Sequence, residues 1–237
     1  MCISKPFDEV LAENCPSKPR SNWLRQATLT TLKEVHKVDS MSGNNYVELG
    51  GIIAEAPEFS HFSREKSFYS FPLEIARLSG AVDRVNVTVP EALLSSAAAL
   101  AGKNVLLSGE LRSYNNKSGT GSRLLINVYA RELKAGSETK NQVLLRGSVC
   151  KTPNYRRTPM GREICDVMLA VNRHYGRSDY LPCILWGQSA QNAAFWPVGR
   201  RVALSGRLQS RKYIKLERGE SVEKTAFEVS VFDYIEL

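Results

Sequence analysis

The chain has 237 residues, 43% hydrophobic and 24% charged, with a formal net charge of +8; this is the balance of a packed globular protein with an anionic partner. No stretch approaches the ~20 apolar residues of a spanning helix, and Met1 to Val10 lacks the apolar run of a signal peptide, so a cytoplasmic, non-membrane protein is expected. Cys2, Cys15, Cys150, Cys165 and Cys183 are odd in number and contain no C-x-x-C pair, which argues against a zinc ribbon or a dithiol centre and for idle or buried thiols.

Residues 1–42 read as an N-terminal extension. Leu29, Leu32, Val35 and Val38 recur every three residues, a spacing that allows an amphipathic helix, although Thr28, Thr30 and Thr31 weaken it. Beyond this extension the chain repeats itself. Asn45-Tyr46-Val47-Glu48-Leu49-Gly50-Gly51 matches Asn141-Gln142-Val143-Leu144-Leu145-Arg146-Gly147. Phe71-Pro72-Leu73-Glu74-Ile75-Ala76-Arg77 matches Val167-Met168-Leu169-Ala170-Val171-Asn172-Arg173, and Gly102 to Leu111 matches Gly199 to Leu208. The offset is 96 residues for the first two blocks (147 − 51) and 97 for the third (199 − 102), which indicates a duplicated domain.

The first unit, residues 43–135, is expected to place a helix at Glu91 to Leu100 and a Gly/Ser/Asn-rich loop at Ser113 to Ser122. Gly136-Ser137-Glu138-Thr139 is a short linker. The second unit, residues 141–237, offers apolar strands at Val143–Val149, Cys165–Val171, Leu181–Trp186 and Arg201–Leu208. An Ala-rich helix is expected from Gln188 to Phe195, and Phe227, Val229 and Val231 show the period of two of a fifth strand. Five strands with a helix between the third and fourth is the plan of an OB barrel, so the fold expected is all-β: two tandem five-stranded OB-fold barrels, each with one short helix between strands 3 and 4.

Motifs in the second unit come in a telling order. Thr152-Pro153-Asn154-Tyr155-Arg156 and Thr158-Pro159-Met160-Gly161 precede Leu169-Ala170-Val171-Asn172-Arg173 and Leu185-Trp186-Gly187-Gln188-Ser189-Ala190. Gly199-Arg200-Arg201-Val202-Ala203-Leu204-Ser205-Gly206-Arg207-Leu208 and Ser210-Arg211-Lys212-Tyr213 follow. This series resembles the bacterial single-stranded-DNA-binding protein family over nearly all of residues 142–237, and the duplication resembles the tandem OB-fold branch found in Gram-positive bacteria.

The resemblance implies sequence-tolerant binding and protection of single-stranded DNA, with base-stacking aromatics at Tyr175, Tyr180, Trp186 and Tyr213. The physical logic holds independently: every base has a π face, and stacking on it is worth about 1–3 kcal/mol per base. Arg156, Arg157, Arg173, Arg177, Arg211 and Lys212 lie close to these aromatics in sequence and are the candidates for phosphate contact. A single strand Trp or Tyr is as readily a core residue; four at family positions, each beside basic residues, point to DNA.

The two units differ. Residues 141–237 carry 15 Lys+Arg against 9 Asp+Glu, whereas residues 43–140 carry 11 against 10. At the aligned positions the first unit has Ser79, Arg84, Pro90 and Asn116, retaining Tyr114 in its loop and Phe59 and Phe62 in its first turn. It is expected to be a weaker binder or an assembly partner, and the second unit the main binder.

No phosphate loop, metal spacing or catalytic constellation emerges, so neither an enzyme nor a cofactor is expected. Family members commonly have a flexible tail with an acidic, Phe-terminated tip that recruits repair and replication proteins; here Phe232-Asp233-Tyr234-Ile235-Glu236-Leu237 follows the last strand directly, which puts that recruitment in doubt and leaves replication or recombination proteins as candidate partners. The alternative reading is a tail-less accessory OB protein of replication restart or recombination that acts mainly through protein partners. RNA binding is also open, since stacking does not read the 2′-hydroxyl. One-unit relatives commonly form tetramers, so a homodimer giving four OB folds is expected.

Overall fold

Val82-Asp83-Arg84-Val85-Asn86-Val87-Thr88-Val89 alternates along the chain, and in the structure Asp83, Val85, Val87 and Val89 turn to the interior. Its counterpart Asp179, Leu181, Cys183 and Leu185 does the same. Each half thus buries one aspartate on an otherwise apolar strand face. The computed structural model describes residues 43–94, 101–116, 122–173, 175–217 and 220–237. The extension with its expected helix, most of the expected helix at Glu91–Leu100, and part of the loop after Ser113 lie outside these residues.

Twelve strands are described: β1 (Asn45–Ile53), β2 (Glu58–Ser63), β3 (Lys66–Ala76), β4 (Val82–Pro90), β5 (Asn104–Asn115), β6 (Leu124–Ala135), β7 (Asn141–Val149), β8 (Asn154–Arg157), β9 (Glu163–Asn172), β10 (Ser178–Trp186), β11 (Arg201–Glu217) and β12 (Glu220–Glu236). Helix α1 (Gly187–Ala193) follows β10, close to the expected Gln188–Phe195, and buries Ala190 and Ala193. In the first half, Glu91–Leu93 form a single 3-10 turn.

The hydrogen-bonded order is β2-β3-β4-β6-β5-β1-β7-β11-β12-β10-β9-β8. Pairings β3–β1 and β7–β9 close β1-β3-β4-β6-β5 and β7-β9-β10-β12-β11 into two rings of the same connectivity, each with one parallel contact, β4–β6 or β10–β12. Two glycines explain how the first strand of each ring serves two partners. A Cβ on Gly51 would lie 2.3 Å from the Glu74 carbonyl oxygen, and one on Gly147 2.4 Å from that of Ala170, so a side chain at either place would push the closing strand away.

The halves join through β1 and β7, antiparallel and centred on Val47↔Val143, so Asn45↔Leu145 at one end is matched by Leu49↔Asn141 at the other. One apolar cluster runs through both halves, from Leu49, Phe71 and Val87 to Leu145, Leu169 and Leu185.

Two features were hidden from periodicity. The stretches after β1 and β7 carry short strands, β2 and β8, where the sequence suggests only turns. Strand β8 is held to β9 by polar contacts, with Arg156 Nε 2.7 Å from Asp166 Oδ2 and Arg157 Nη2 3.0 Å from Glu163 Oε1, not by apolar alternation. Strands β11 and β12 also run well past Leu208 as a hairpin. On that extension Arg211, Lys212 and Ile214 are exposed, so the apolar signal that marks a strand is missing there.

Candidate nucleic-acid interface

Residues directly opposite one another in adjacent strands share a face, so register sorts the candidate side chains. Arg156, Ile164 and Trp186 form one row across β8, β9 and β10, and Ala170 stands opposite Tyr180 further along. Ile184 is level with Ser230 on β12, and Trp186 Nε1 donates to Ser230 Oγ at 3.2 Å. From β12 the same face passes to β11, where Gln209 is opposite Glu228, Arg211 opposite Ala226 and Tyr213 opposite Lys224. Gln209 Nε2 and Arg211 Nε both donate to Glu228, at 2.9 and 3.3 Å.

Arg156, Tyr180, Trp186, Arg211 and Tyr213 therefore share one outer face of the second half. Tyr180 is 50% and Trp186 37% exposed, so each offers ring surface to a ligand while its strand faces the core on the other side. The Arg211 guanidinium lies 5.8 Å from the centre of the Tyr213 ring.

Arg157 and Lys212 fall on the opposite side of their strands. Arg157 pairs with Glu163, whose other oxygen accepts from Gln191 of α1 at 2.6 Å; Lys212 Nζ lies 2.9 Å from Glu223 Oε1.

Arg173, Tyr175 and Arg177 belong to the β9–β10 turn, at the seam between the halves. Tyr175 has φ +80° and is 90% exposed, held out from the turn by left-handed backbone next to Gly176. Arg173 is structurally committed. Its Nε donates to the fully buried Asp179 at 2.7 Å, and the same carboxylate accepts from the Ser113 amide at 2.6 Å and Arg112 Nη1 at 3.1 Å, both from the first half. The Tyr180 amide donates to Ser113 Oγ at 2.7 Å.

The other seam has the mirrored clasp. Arg77 Nε donates to Asp83 at 2.6 Å, Arg77 Nη2 to the Ser210 carbonyl at 2.7 Å, and the Ser210 amide and hydroxyl to Asp83 Oδ1, both at 2.6 Å. Burial pushes the Asp83 carboxyl upward, but the hydrogen bonds from Arg77 and Ser210 outweigh it and hold the group below the usual carboxylate value. Sequence reasoning assigned Arg173 to phosphate and passed over these clasps. Their signal was present: Arg77/Asp83 and Arg173/Asp179 share the 96-residue offset, and Ser113/Ser210 the offset of 97.

Sequence reasoning also missed a cluster on the first half, where Arg112 and Arg131 flank Tyr129 with guanidinium carbons 5.8 and 5.4 Å from the ring centre. Among the described cysteines, burial pushes the Cys165 thiol up to about 11, and the Cys183 thiol up as well, away from the thiolate form.

Comparison with known proteins finds relatives in both sequence and fold. The model of the "Single-strand binding protein family" matches residues 140–235. Single-stranded DNA-binding protein B of Bacillus subtilis (strain 168) is 39% identical over 92 residues, covering 36% of this chain and 80% of that protein. Single-stranded DNA-binding protein 1 of Lactococcus lactis is 31% identical over 103 residues, 40% of this chain and 68% of that one. The crystal structure of the single-stranded DNA binding protein from Thermus aquaticus superposes with a TM-score of 0.65 at 20% identity, covering 83% of this chain and 94% of the other, which establishes likeness of fold across both halves. The chain belongs to the single-strand binding protein family.

Proposed function

We propose that this protein binds and protects single-stranded DNA, and that each five-strand ring is an OB barrel, the second being the principal binding unit. The observation that carries the reading is the shared outer face of β8, β9, β10, β12 and β11, where Tyr180, Trp186 and Tyr213 stand among Arg156 and Arg211. The rings stack on bases of any identity and the guanidinium groups meet the phosphates between them. Tyr175 and Arg177 extend this surface to the seam, and Arg173 holds the turn that carries them through Asp179. Names of the relatives point to the same ligand. Among the described residues no helix is long and apolar enough to cross a membrane.

Titration of the full chain with oligo-dT, the matching RNA and duplex DNA, followed by tryptophan fluorescence, tests the reading. Single strands should bind best, and log affinity should fall against log salt with a slope of about −0.7 per phosphate neutralised. Preference for duplex, or no binding, would refute it. A homodimer is part of the proposal: β2 ends the sheet order with all six residues exposed, which leaves an edge open to a second copy. Light scattering that shows a monomer at micromolar concentration would remove the dimer and leave the DNA reading intact.

A further inference from the structure

The aligned positions Ser79, Arg84, Pro90 and Asn116 give the first half no stacking set, yet its outer face carries a different one. Phe68 is level with Pro90, Thr88 with Tyr129, and Tyr129 with Glu110, so these residues share the face that corresponds to the Trp186 face of the second half. His61 stacks on Phe68 with ring centres 4.9 Å apart, and Phe68 lies 6.1 Å from Tyr129. The aromatic side chains come from β2, β3 and β6, not from the positions used in the second half, which is why alignment to the family overlooks them.

Tyr129 stands between two clefts. One, of about 520 Å³, runs beside Lys66, Pro90 and Leu93. The other, of about 1190 Å³, opens at the seam between the halves and is lined by Tyr46, Tyr114, Arg64, Arg112 and Arg131 of the first half and by Arg173, Tyr175 and Arg177 of the second. Five arginines line this larger cleft against a single acid, Glu110. Glu110 pairs with both Arg112 and Arg131, while Arg64 and Arg177 make no ion pair with any described residue. Arg64 and Glu65 have φ of 49° and 62° in the β2–β3 turn, and the Arg64 guanidinium lies 5.8 Å from the centre of the Tyr175 ring. One turn from each half thus meets over the cleft. A concave site lined by cations concentrates anions, and tyrosines beside guanidinium groups offer π faces for bases.

We infer that this cleft is a second single-strand-binding tract: Tyr129 and Tyr114 stack bases, Arg64, Arg131 and Arg177 take phosphates, and the strand crosses the seam at Tyr175 to reach the face of the second half. The inference rests on the single-strand-binding reading above. It makes the first half a participant along the strand, with its own residues.

The test compares the full chain with its Arg64→Ala/Arg131→Ala variant on a short and a long oligo-dT, of about 8 and 30 nucleotides, the lengths suited to one barrel and to both. Both substituted residues are exposed, so the fold is expected to survive, and melting is recorded alongside. Affinity for the long strand should fall about tenfold, with a log–log salt slope shallower by about 1.4; affinity for the short strand, held by the second half, should stay. Glu110→Gln frees two arginines from their carboxylate and should tighten long-strand binding by about threefold, a gain that loss of structure cannot produce. Unchanged long-strand affinity and slope in the double variant would overturn the inference while leaving the function standing. A parent protein that binds neither oligonucleotide overturns both.

Discussion

At one seam Arg77 and Asp83 grip Ser210; at the other Arg173 and Asp179 grip Ser113. Around the first clasp is a small cleft of about 350 Å³ near Leu78, Arg207 and Phe232; around the second is the Tyr/Arg cleft of about 1190 Å³. The shared element is a buried carboxylate, saturated with donors, that reaches across the junction, and it serves folding. The divergent element is the rest of the lining: Arg112 and Arg173 belong to both cleft and clasp, whereas Arg64, Arg131 and Arg177 line the cleft and take no part in gripping Asp179. Duplication gave the protein two equivalent joints, and chemistry suited to a nucleic acid has gathered at one of them.

The comparison can be broken most forcefully at the clasps. Asp83→Ala and Asp179→Ala each strip a half-buried arginine and several donors of their buried acceptor, and loss of one partner of a buried pair costs about 3–5 kcal/mol. Both variants should unfold at clearly lower urea concentration, by similar amounts. Equal losses support equivalent joints. A variant that unfolds like the parent would show that its clasp is an ornament of the junction.

Next in size is the contrast between matching positions on the two outer faces. Trp186→Ala should weaken oligo-dT binding by about 1–3 kcal/mol, roughly tenfold or more, while Pro90→Ala removes no aromatic ring and should change affinity little. Because Trp186 Nε1 also bonds Ser230, melting is measured beside binding. A folded Trp186→Ala protein with unchanged affinity would move the site off the second half.

How much of this was legible in the sequence depends on which signal each feature leaves. Apolar runs of strand length announced Val143–Val149, Cys165–Val171 and Leu181–Trp186, and each lies within an observed strand. Strand β8 was invisible because Arg156 and Arg157 bind it through ion pairs, which have no period. Periodicity could not bring Trp186 and Tyr213 together either, because they lie on β10 and β11, joined only through β12; only the family resemblance grouped them. Arg173 shows the limit of reading charge by type. A lone arginine beside aromatics suggests a phosphate, and the partner that claims it, Asp179, is six residues away across a hairpin. The Tyr129 cluster escaped for another reason: family alignment directs attention to inherited positions, and this set occupies new ones.

The smallest effect concerns acid, and it sharpens the clasp at Asp83. Its carboxyl is held below the ordinary value in the folded protein by Arg77 and Ser210, against the upward push of burial. A carboxyl depressed on folding contributes stability that is complete above its unfolded value, near 3.9 for aspartate, and that is lost as pH falls through the lower folded value. The folded state must then give up an ionised acceptor or take up a proton beneath the Arg77 guanidinium. One proton sets the limit of the effect, a slope of about 1.4 kcal/mol per pH unit within that window. Urea midpoints for the parent and for Asp83→Asn, taken between pH 6 and pH 3, single out this group, because all the other carboxyls are present in both proteins. The parent should lose stability more steeply below about pH 4, and the gap between the two should narrow as Asp83 is protonated. A gap that stays constant across the range would mean that the ionised form of Asp83 contributes nothing to the joint, and that the clasp at Ser210 is held by shape and neutral hydrogen bonds alone.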